Sequence, residues 1–167
     1  GLVHLQGAEF LYEAKLFPDL EYTFKHALTC QVAYGSLVQD RRRSLHAAVV
    51  EGIERLYSGR LTEQVERLAY HALRGEVWDK AVSYLRQAGA KAANRSVHSE
   101  AVTYLQQALE ALKHRPENRQ TLEQAIDIRL ELRNSLQPLG QQAKLFERMR
   151  EAEALAESLN DQGRLGQ

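Results

Sequence analysis

Histidine is the residue type here with the widest chemical range, because it can transfer protons, bind metals and contact phosphates. The 167-residue chain contains six histidines: His4, His26, His46, His71, His98 and His114. None has a second histidine four residues away, and no carboxylates accompany them at the spacing of a zinc site. We therefore expect no metal site and no bound cofactor.

Motifs for phosphate binding and for nucleophilic catalysis are missing from the sequence. It has neither G-x-x-x-x-G-K-[ST] nor G-x-G-x-x-G, the loops that hold nucleotide phosphates. Serine, histidine and aspartate occur without the spacing that marks an activated nucleophile. We expect no catalytic residues. Cys30 is the single cysteine, so an internal disulfide is excluded and a cytoplasmic location is expected.

The balanced charge of the chain disfavours nucleic acid as a partner. Lys and Arg total 22 and Asp and Glu total 22, so the formal net charge is zero and no overall field attracts an anionic surface. Arg41-Arg42-Arg43 is the one basic cluster. Either Asp40 and solvent compensate it, or it contacts an acidic surface. No apolar run approaches the roughly 18 residues that cross a bilayer, so we expect no membrane partner.

The elements that must position these residues are a β-hairpin and a series of helices. Aromatic-rich runs at 9–13 and 21–25 flank Pro18-Asp19, and this pattern predicts a hairpin. Helical periodicity then predicts seven helices at about 26–38, 41–57, 62–74, 78–94, 97–114, 121–136 and 142–159. The apolar faces predicted for the first three are Ala27, Leu28, Val32, Ala33 and Leu37; then Leu45, Ala48, Val49, Ile53 and Leu56; then Val65, Leu68, Ala69 and Ala72. Asp40 is the predicted cap of the second helix.

Small residues recur at fixed spacings along the fourth and fifth predicted helices. The run is Leu85-x2-Ala88-Gly89-x2-Ala92, followed by Ala101-x3-Leu105-x2-Ala108. It resembles the tetratricopeptide repeat, in which small residues stand where two antiparallel helices touch. A second repeat is indicated by Leu145, Met149 and Ala152, which align with Ala101, Leu105 and Ala108. The resemblance implies an all-α fold of antiparallel helical hairpins stacked as a right-handed solenoid, with the small β-hairpin at the N-terminus. A single amphipathic hairpin is the alternative.

A wider resemblance rests on several short runs. They are Glu9-Phe-Leu-Tyr-Glu13, Phe24-Lys-His-Ala-Leu28, Val32-Ala-Tyr34, Leu68-Ala-Tyr-His71 and Trp78-Asp-Lys-Ala-Val82. Together they resemble the region after the nucleotide-binding module of bacterial multidomain signalling ATPases of the AAA/STAND type, many of them fused to class III adenylate or guanylate cyclase domains. The resemblance implies that residues 1–57 are the C-terminal part of a winged-helix-like module and that residues 58–167 are helical repeats. Asn160-Asp161-Gln162-Gly163 predicts a turn into a further helix, so we expect the repeats to be truncated.

The resemblance also implies a role for His26. In such ATPases a winged-helix histidine lies near the phosphates of bound ADP, and His26 occupies the matching place between an aromatic strand and a helix. It is therefore a candidate sensor of the nucleotide state in the parent protein. A local cap or a packed side chain is the alternative for this histidine.

Two functions follow from the sequence. The first is a non-catalytic protein–protein interaction and regulatory coupling module of a larger signalling ATPase or nucleotide cyclase, whose partner is another domain of the parent or a separate protein. The alternative is a DNA-binding fragment of a transcription regulator that uses the winged-helix-like part. Four aromatic residues at helical spacing are expected to pack in the core and not to form a ligand cage: Tyr70, Trp78, Tyr84 and Tyr104.

Overall fold

The computed structural model describes residues 2–15 and 21–159. Within this part of the chain the structure is mostly helical, with eight α-helices and one two-stranded antiparallel sheet. This confirms the coarse prediction of a helical chain with a small β-hairpin. No helix in the described ranges is both long and apolar enough to cross a membrane.

The chain divides into two compact units, Gly1–Arg42 and Arg43–Gln167. The division falls inside a helix, whereas the predicted domain boundary lies after Tyr57, just beyond the end of that helix. The predicted boundary follows the resemblance to a multidomain protein and stays a prediction.

The first unit contains the hairpin. Its elements are α1 (Leu2–Gly7), β1 (Leu11–Lys15), β2 (Glu21–Phe24) and α2 (Ala27–Gly35). Leu11 lies opposite Phe24, and Tyr12 lies opposite Thr23. The hairpin prediction is confirmed, while its turn at Pro18-Asp19 lies outside the described residues. The sequence did not predict α1.

The remaining helices begin at residue 39. They are α3 (Gln39–Leu56), a short 3-10 helix (Leu61–Glu63), α4 (Val65–Arg74), α5 (Trp78–Asn94), α6 (His98–Leu112), α7 (Arg119–Leu136) and α8 (Gln142–Ser158). Their bounds agree with the predicted ones within a few residues. The extensive helix contacts from α4 onward join sequence neighbours: α4 with α5, α5 with α6, α6 with α7, and α7 with α8.

Small side chains form the contact between α5 and α6. Ala81, Ala101 and Ala108 are fully buried. Gly89 is also buried, and a Cβ added to it would lie 3.0 Å from Cγ of Leu105. Such a distance is tighter than ordinary van der Waals contact, so the two helices approach as closely here as a residue without a side chain allows. The prediction that this glycine lets one helix lie close against the next is confirmed.

The predicted apolar face is buried in α4, whereas in α3 only Ile53 of the five predicted residues is buried. All four predicted residues of α4 are buried: Val65, Leu68, Ala69 and Ala72. In α3 the buried residues are His46, Val50 and Ile53, whereas Leu45, Ala48, Val49 and Leu56 are exposed. The buried stripe is therefore shifted by one residue over most of the helix, a rotation of about 100°. Polar residues explain the shift, because Glu54 on the inward side pairs with Lys80 and Tyr84 of α5.

Two smaller predictions about this region also need correction. Asp40 does not cap α3, since the helix already begins at Gln39 and Asp40 lies in its first turn. No residue of α2 is buried, and Leu28 and Val32, predicted to face a core, are 73% and 72% exposed.

Candidate functional site

A groove runs along one face of α5. Its first part has a volume of about 510 Å³ and lies between the start of α4 and the C-terminal half of α5. It is lined by Thr62, Glu63, Val65, Gln87, Ala90, Lys91, Asn94 and Arg95. The volume lies within the range of about 300–1,000 Å³ typical of ligand sites. Ala90 and Asn94 are both exposed, so the floor on the α5 side is open to solvent.

A second cavity adjoins the first on the same helix. It has a volume of about 340 Å³ and shares Ala90 and Asn94 with the first part. Its other walls come from α6 and α7 and include His98, Asn134 and Ser135. We call the two parts together the α5 groove. It extends from the beginning of α4, across α5, to the C-terminal half of α7.

Ion pairs between helices hold the walls of the α5 groove in place. Nζ of Lys91 lies 2.9 Å from a carboxylate oxygen of Glu66 and also donates to the backbone oxygen of Thr62, which ties α5 to the start of α4. Arg86 donates to both carboxylate oxygens of Glu131 on α7. These hydrogen bonds to Glu131 raise the pKa of Arg86 against the opposing effect of burial. The arginine therefore stays charged at any pH the protein meets.

Several polar groups of the α5 groove have unused hydrogen-bonding capacity. The side chains of Asn94, Arg95 and Asn134 have no hydrogen-bond partner within the part of the chain that the structure describes. Nδ1 of His98 is buried and also lacks a partner among those residues. Each asparagine can donate two hydrogen bonds and accept two. The groove thus combines apolar walls with a few polar groups that are free to bind another molecule.

The chemistry available in the α5 groove is recognition. An asparagine amide can pair at once with a backbone N–H and a backbone C=O, the two groups that every extended peptide segment presents. The guanidinium of Arg95 matches a carboxylate in shape and charge. Among residues 2–15 and 21–159, no three side chains of His, Cys, Asp or Glu lie together as a metal site would require.

His26 lies away from this groove along the chain, in the first unit. It immediately precedes α2, its backbone is extended, and its side chain makes no capping hydrogen bond. The side chain is exposed, which argues against a packed histidine. The backbone oxygen of His26 does cap α2, because it accepts from the N–H groups of Thr29 and Cys30. Its assignment as a nucleotide-state sensor stays a prediction.

The arginine cluster is held by local contacts. Arg42 donates to the backbone oxygens of Leu37 and Gly35, and its guanidinium lies 4.7 Å from the ring centroid of Tyr34. Arg43 pairs with Glu76 at 2.7 Å. Two of the three arginines thus help to build the structure around α3.

Three of the four predicted packing aromatics do contact the core. Trp78, Tyr84 and Tyr104 are partly buried against it, and Trp78 also stacks on His114 with ring centroids 4.0 Å apart. Burial and the hydrogen bond donated to Glu54 raise the pKa of Tyr84 to about 12. Tyr70 differs, because it is 51% exposed.

Comparisons with models of known protein families, with curated proteins and with solved structures find no match. What the α5 groove binds is therefore inferred from its own residues. Sequence reasoning missed this groove, although one signal was present. The signal is a group of small residues within about one turn of α5, namely Gly89, Ala90 and Ala93. Of these, only Gly89 is needed for the close contact with α6. The exposed Ala90 leaves the surface low at that point, which is how a groove forms.

Proposed function

We propose that this chain is a non-catalytic protein-interaction module whose α5 groove binds an extended segment of a partner polypeptide. Its wider role, following the resemblance to signalling ATPases and nucleotide cyclases, is regulatory coupling within such a parent. The partner segment belongs either to another domain of the parent or to a separate protein. The helices from α4 onward then act as tetratricopeptide-like hairpins that present a binding surface.

The observation that carries this proposal is the unused hydrogen-bonding capacity of Asn94 and Asn134, which line the same cavity of the α5 groove. Exposed polar side chains that are unpaired within the protein form hydrogen bonds with water, so they do not destabilise the fold. They can exchange these for hydrogen bonds to a partner. Lys91 and Arg86 in the walls, in contrast, are already paired with Glu66 and Glu131. The walls are therefore preorganised, which lowers the entropic cost of binding.

The helix pairing adds support for a repeat architecture. Small residues at the tetratricopeptide spacing are buried in α5 and α6, and Ala152 and Ala156 are buried in α8. Each hairpin has apolar residues on more than one face and can bury them only against a neighbour. Stacking of this kind leaves surface, and not reactive groups, for function.

The contacts of the basic cluster give no support to the DNA-binding alternative. Arg42 is engaged by two carbonyls and an aromatic ring, and Arg43 by Glu76. Arginines used in this way contribute less to a phosphate-binding surface, because each phosphate contact needs an available cation.

Selection of random peptides displayed on phage tests the proposal. The wild-type chain should enrich peptides that bind in extended form, and Ala90→Arg should abolish their binding because a long side chain then fills the channel where its two parts meet. Ala154→Arg is the matched control, since Ala154 is an exposed alanine on α8 and does not line the groove. It should bind like the wild type.

Asn134→Ala refines the test. Loss of one neutral hydrogen bond should weaken the enriched peptides by about three- to tenfold, measured by fluorescence anisotropy. Failure to enrich any peptide, or binding that survives Ala90→Arg, would show that the groove is not the interaction site.

A further inference from the structure

Two histidines meet where α3 crosses the end of α4. Nδ1 of His46 lies 2.8 Å from Nδ1 of His71. His46 is only 8% exposed, and the two rings are tilted at 41° with centroids 5.0 Å apart. Both histidines belong to the second unit, and neither lines the α5 groove. The inference therefore does not depend on what that groove binds.

This contact requires one proton between the two Nδ1 atoms. At 2.8 Å one Nδ1 must donate and the other must accept. The contact survives when both rings are neutral, and it survives a single added charge, because a protonated ring still donates. When both rings are protonated, two N–H groups and two positive charges face each other, and the contact must open.

The groups around the pair oppose its protonation. Arg74 and Arg67 of α4 act on His46 and His71 respectively through their positive charges. Arg43, one turn before His46 on α3, is paired with Glu76 just beyond α4. The ring of Tyr70 packs edge-on against both imidazoles. The guanidinium carbon of Arg74 lies over the face of the same ring, 4.9 Å from its centroid. Glu76, the carboxylate in this set, is already paired with Arg43.

We propose that His46 and His71 form an acid-sensitive latch that holds the N-terminal half of α3 against α4. The latch is closed at neutral pH and opens when both rings bind a proton. The backbone of α3 lies close to the chain just after α4, because a Cβ on Gly75 would lie 2.8 Å from the backbone nitrogen of Ala47. Separation of the histidines therefore has to move α3 itself.

The sign of the pH effect follows from burial. Burial first, and then the neighbouring positive charges, lower the pKa of both histidines below the ordinary 6.5. A histidine with a lowered pKa stabilises the closed form fully above its unfolded-state pKa, and that stabilisation is lost as the pH falls from about 6.5 through the lowered values. The latch thus weakens as the solution becomes acidic.

Opening should be confined to one end of α3. Glu54, two turns after His46, stays paired with Lys80 and Tyr84 of α5. Burial raises the pKa of Glu54, but these hydrogen bonds outweigh that effect and keep it below the ordinary 4.5. The C-terminal half of α3 is therefore held at a pH where the histidines have released, and the helix swings about that anchor.

Pulsed electron–electron resonance between two spin labels tests the latch in the full chain. Labels at Leu45→Cys in the N-terminal half of α3 and Ser83→Cys on α5, in a Cys30→Ser background, use three exposed positions. A chelator removes any metal that could bridge the rings. Between about pH 7.5 and about pH 5 we expect a second, longer distance whose fraction rises by up to about tenfold per pH unit for each proton bound. Labels at Ser83→Cys and Gln106→Cys, on α5 and α6, should report an unchanged distance.

Two variants separate the latch from a general effect of acid. His71→Asn keeps a donor and an acceptor at the position of Nδ1 but cannot be protonated, so the short distance should persist at about pH 5. His46→Asn makes the same test if that variant does not fold. His98→Asn, a histidine outside the pair, should leave the response intact. An unchanged distance in the wild-type chain at about pH 5, or a response that persists in His71→Asn, would overturn the proposal.

Discussion

Replacement of Gly89 by alanine probes the close contact between α5 and α6. The added Cβ would lie 3.0 Å from Cγ and 3.1 Å from Cδ2 of Leu105. Alanine in place of a helical glycine normally stabilises by about 0.5–1 kcal/mol, because the unfolded chain loses freedom. Overpacking of a well-filled core costs about 1–3 kcal/mol. We therefore expect Gly89→Ala to lower the free energy of unfolding by up to about 2 kcal/mol.

Gly52→Ala supplies the matched control. Gly52 also lies inside a helix, α3, but a Cβ there would meet nothing within 4 Å. Only the stabilisation from the reduced freedom of the unfolded chain remains, so the free energy of unfolding of this variant should rise by about 0.5–1 kcal/mol. Urea unfolding followed by far-ultraviolet circular dichroism measures both changes, and the two variants should differ in sign.

A double-mutant cycle with Leu105→Ala then identifies the colliding side chain. Alanine has neither the Cγ nor the Cδ2 that the added Cβ would meet, so Leu105→Ala should cost less in the Gly89→Ala background than in the wild type, with an interaction energy of about 0.5 kcal/mol or more. The reasoning fails if Gly89→Ala is as stabilising as Gly52→Ala, or if the two substitutions are additive.

Three further substitutions test other parts of the second unit. Leu132→Ala empties a fully buried position of α7 and should cost about 2–5 kcal/mol in urea unfolding, whereas a loss below about 1 kcal/mol would mean that the site is not packed. Gly75→Ala pushes a Cβ onto the backbone nitrogen of Ala47 at 2.8 Å; it should cost about 1–3 kcal/mol and lower the melting temperature, and an unchanged melting temperature would contradict the close approach. Glu54→Gln removes a partly exposed ion pair with Lys80 and should cost no more than about 1 kcal/mol at neutral pH. Because burial raises but hydrogen bonds more strongly lower the pKa of Glu54, below 4.5, the wild type loses this contribution as the pH falls through that lowered value, and the two stability curves should converge in acid.

The helices from α4 to α8 could be predicted from the sequence because apolar periodicity, interrupting residues and capping residues indicate the same helix bounds. In α4 the apolar stripe Val65, Leu68, Ala69 and Ala72 has a single phase. In α5 the first and last residues are the predicted ones, since Gly75 before it and Ser96 after it interrupt the helical pattern. The break before α7 is similarly local: Asn118 caps the helix by accepting from the backbone N–H of Thr121.

The phase of α3 was not readable in the same way. Its apolar residues lie on two faces, and Leu45 and Val49 compete with Val50 and Ile53 for the inward side. Periodicity gives the repeat length of a helix but not which of two stripes is buried. The choice depends on partners far along the chain, such as His71 for His46, and these appear only after the helices are assembled.

The α5 groove was hidden for a related reason. A groove consists of what neighbouring helices leave unfilled, so it depends on the side chains of three or four helices at once. Asn94 and Asn134 are 40 positions apart in the sequence, and nothing in either local pattern connects them. Only the contacts of α6 with α5 and of α7 with α6 bring both to one cavity.

The neighbour-to-neighbour contacts of α4 to α8 have a consequence for how this part of the chain folds and fails. Each helix meets its main partner after a short connection, so little chain entropy is lost before a contact forms, and assembly should be rapid. A local loss of structure should likewise spread from each helix to the neighbouring helix. A lesion in α8 loosens α7 first and reaches α4 only through every helix between, so heat should remove structure progressively from the weaker end and not in one concerted event.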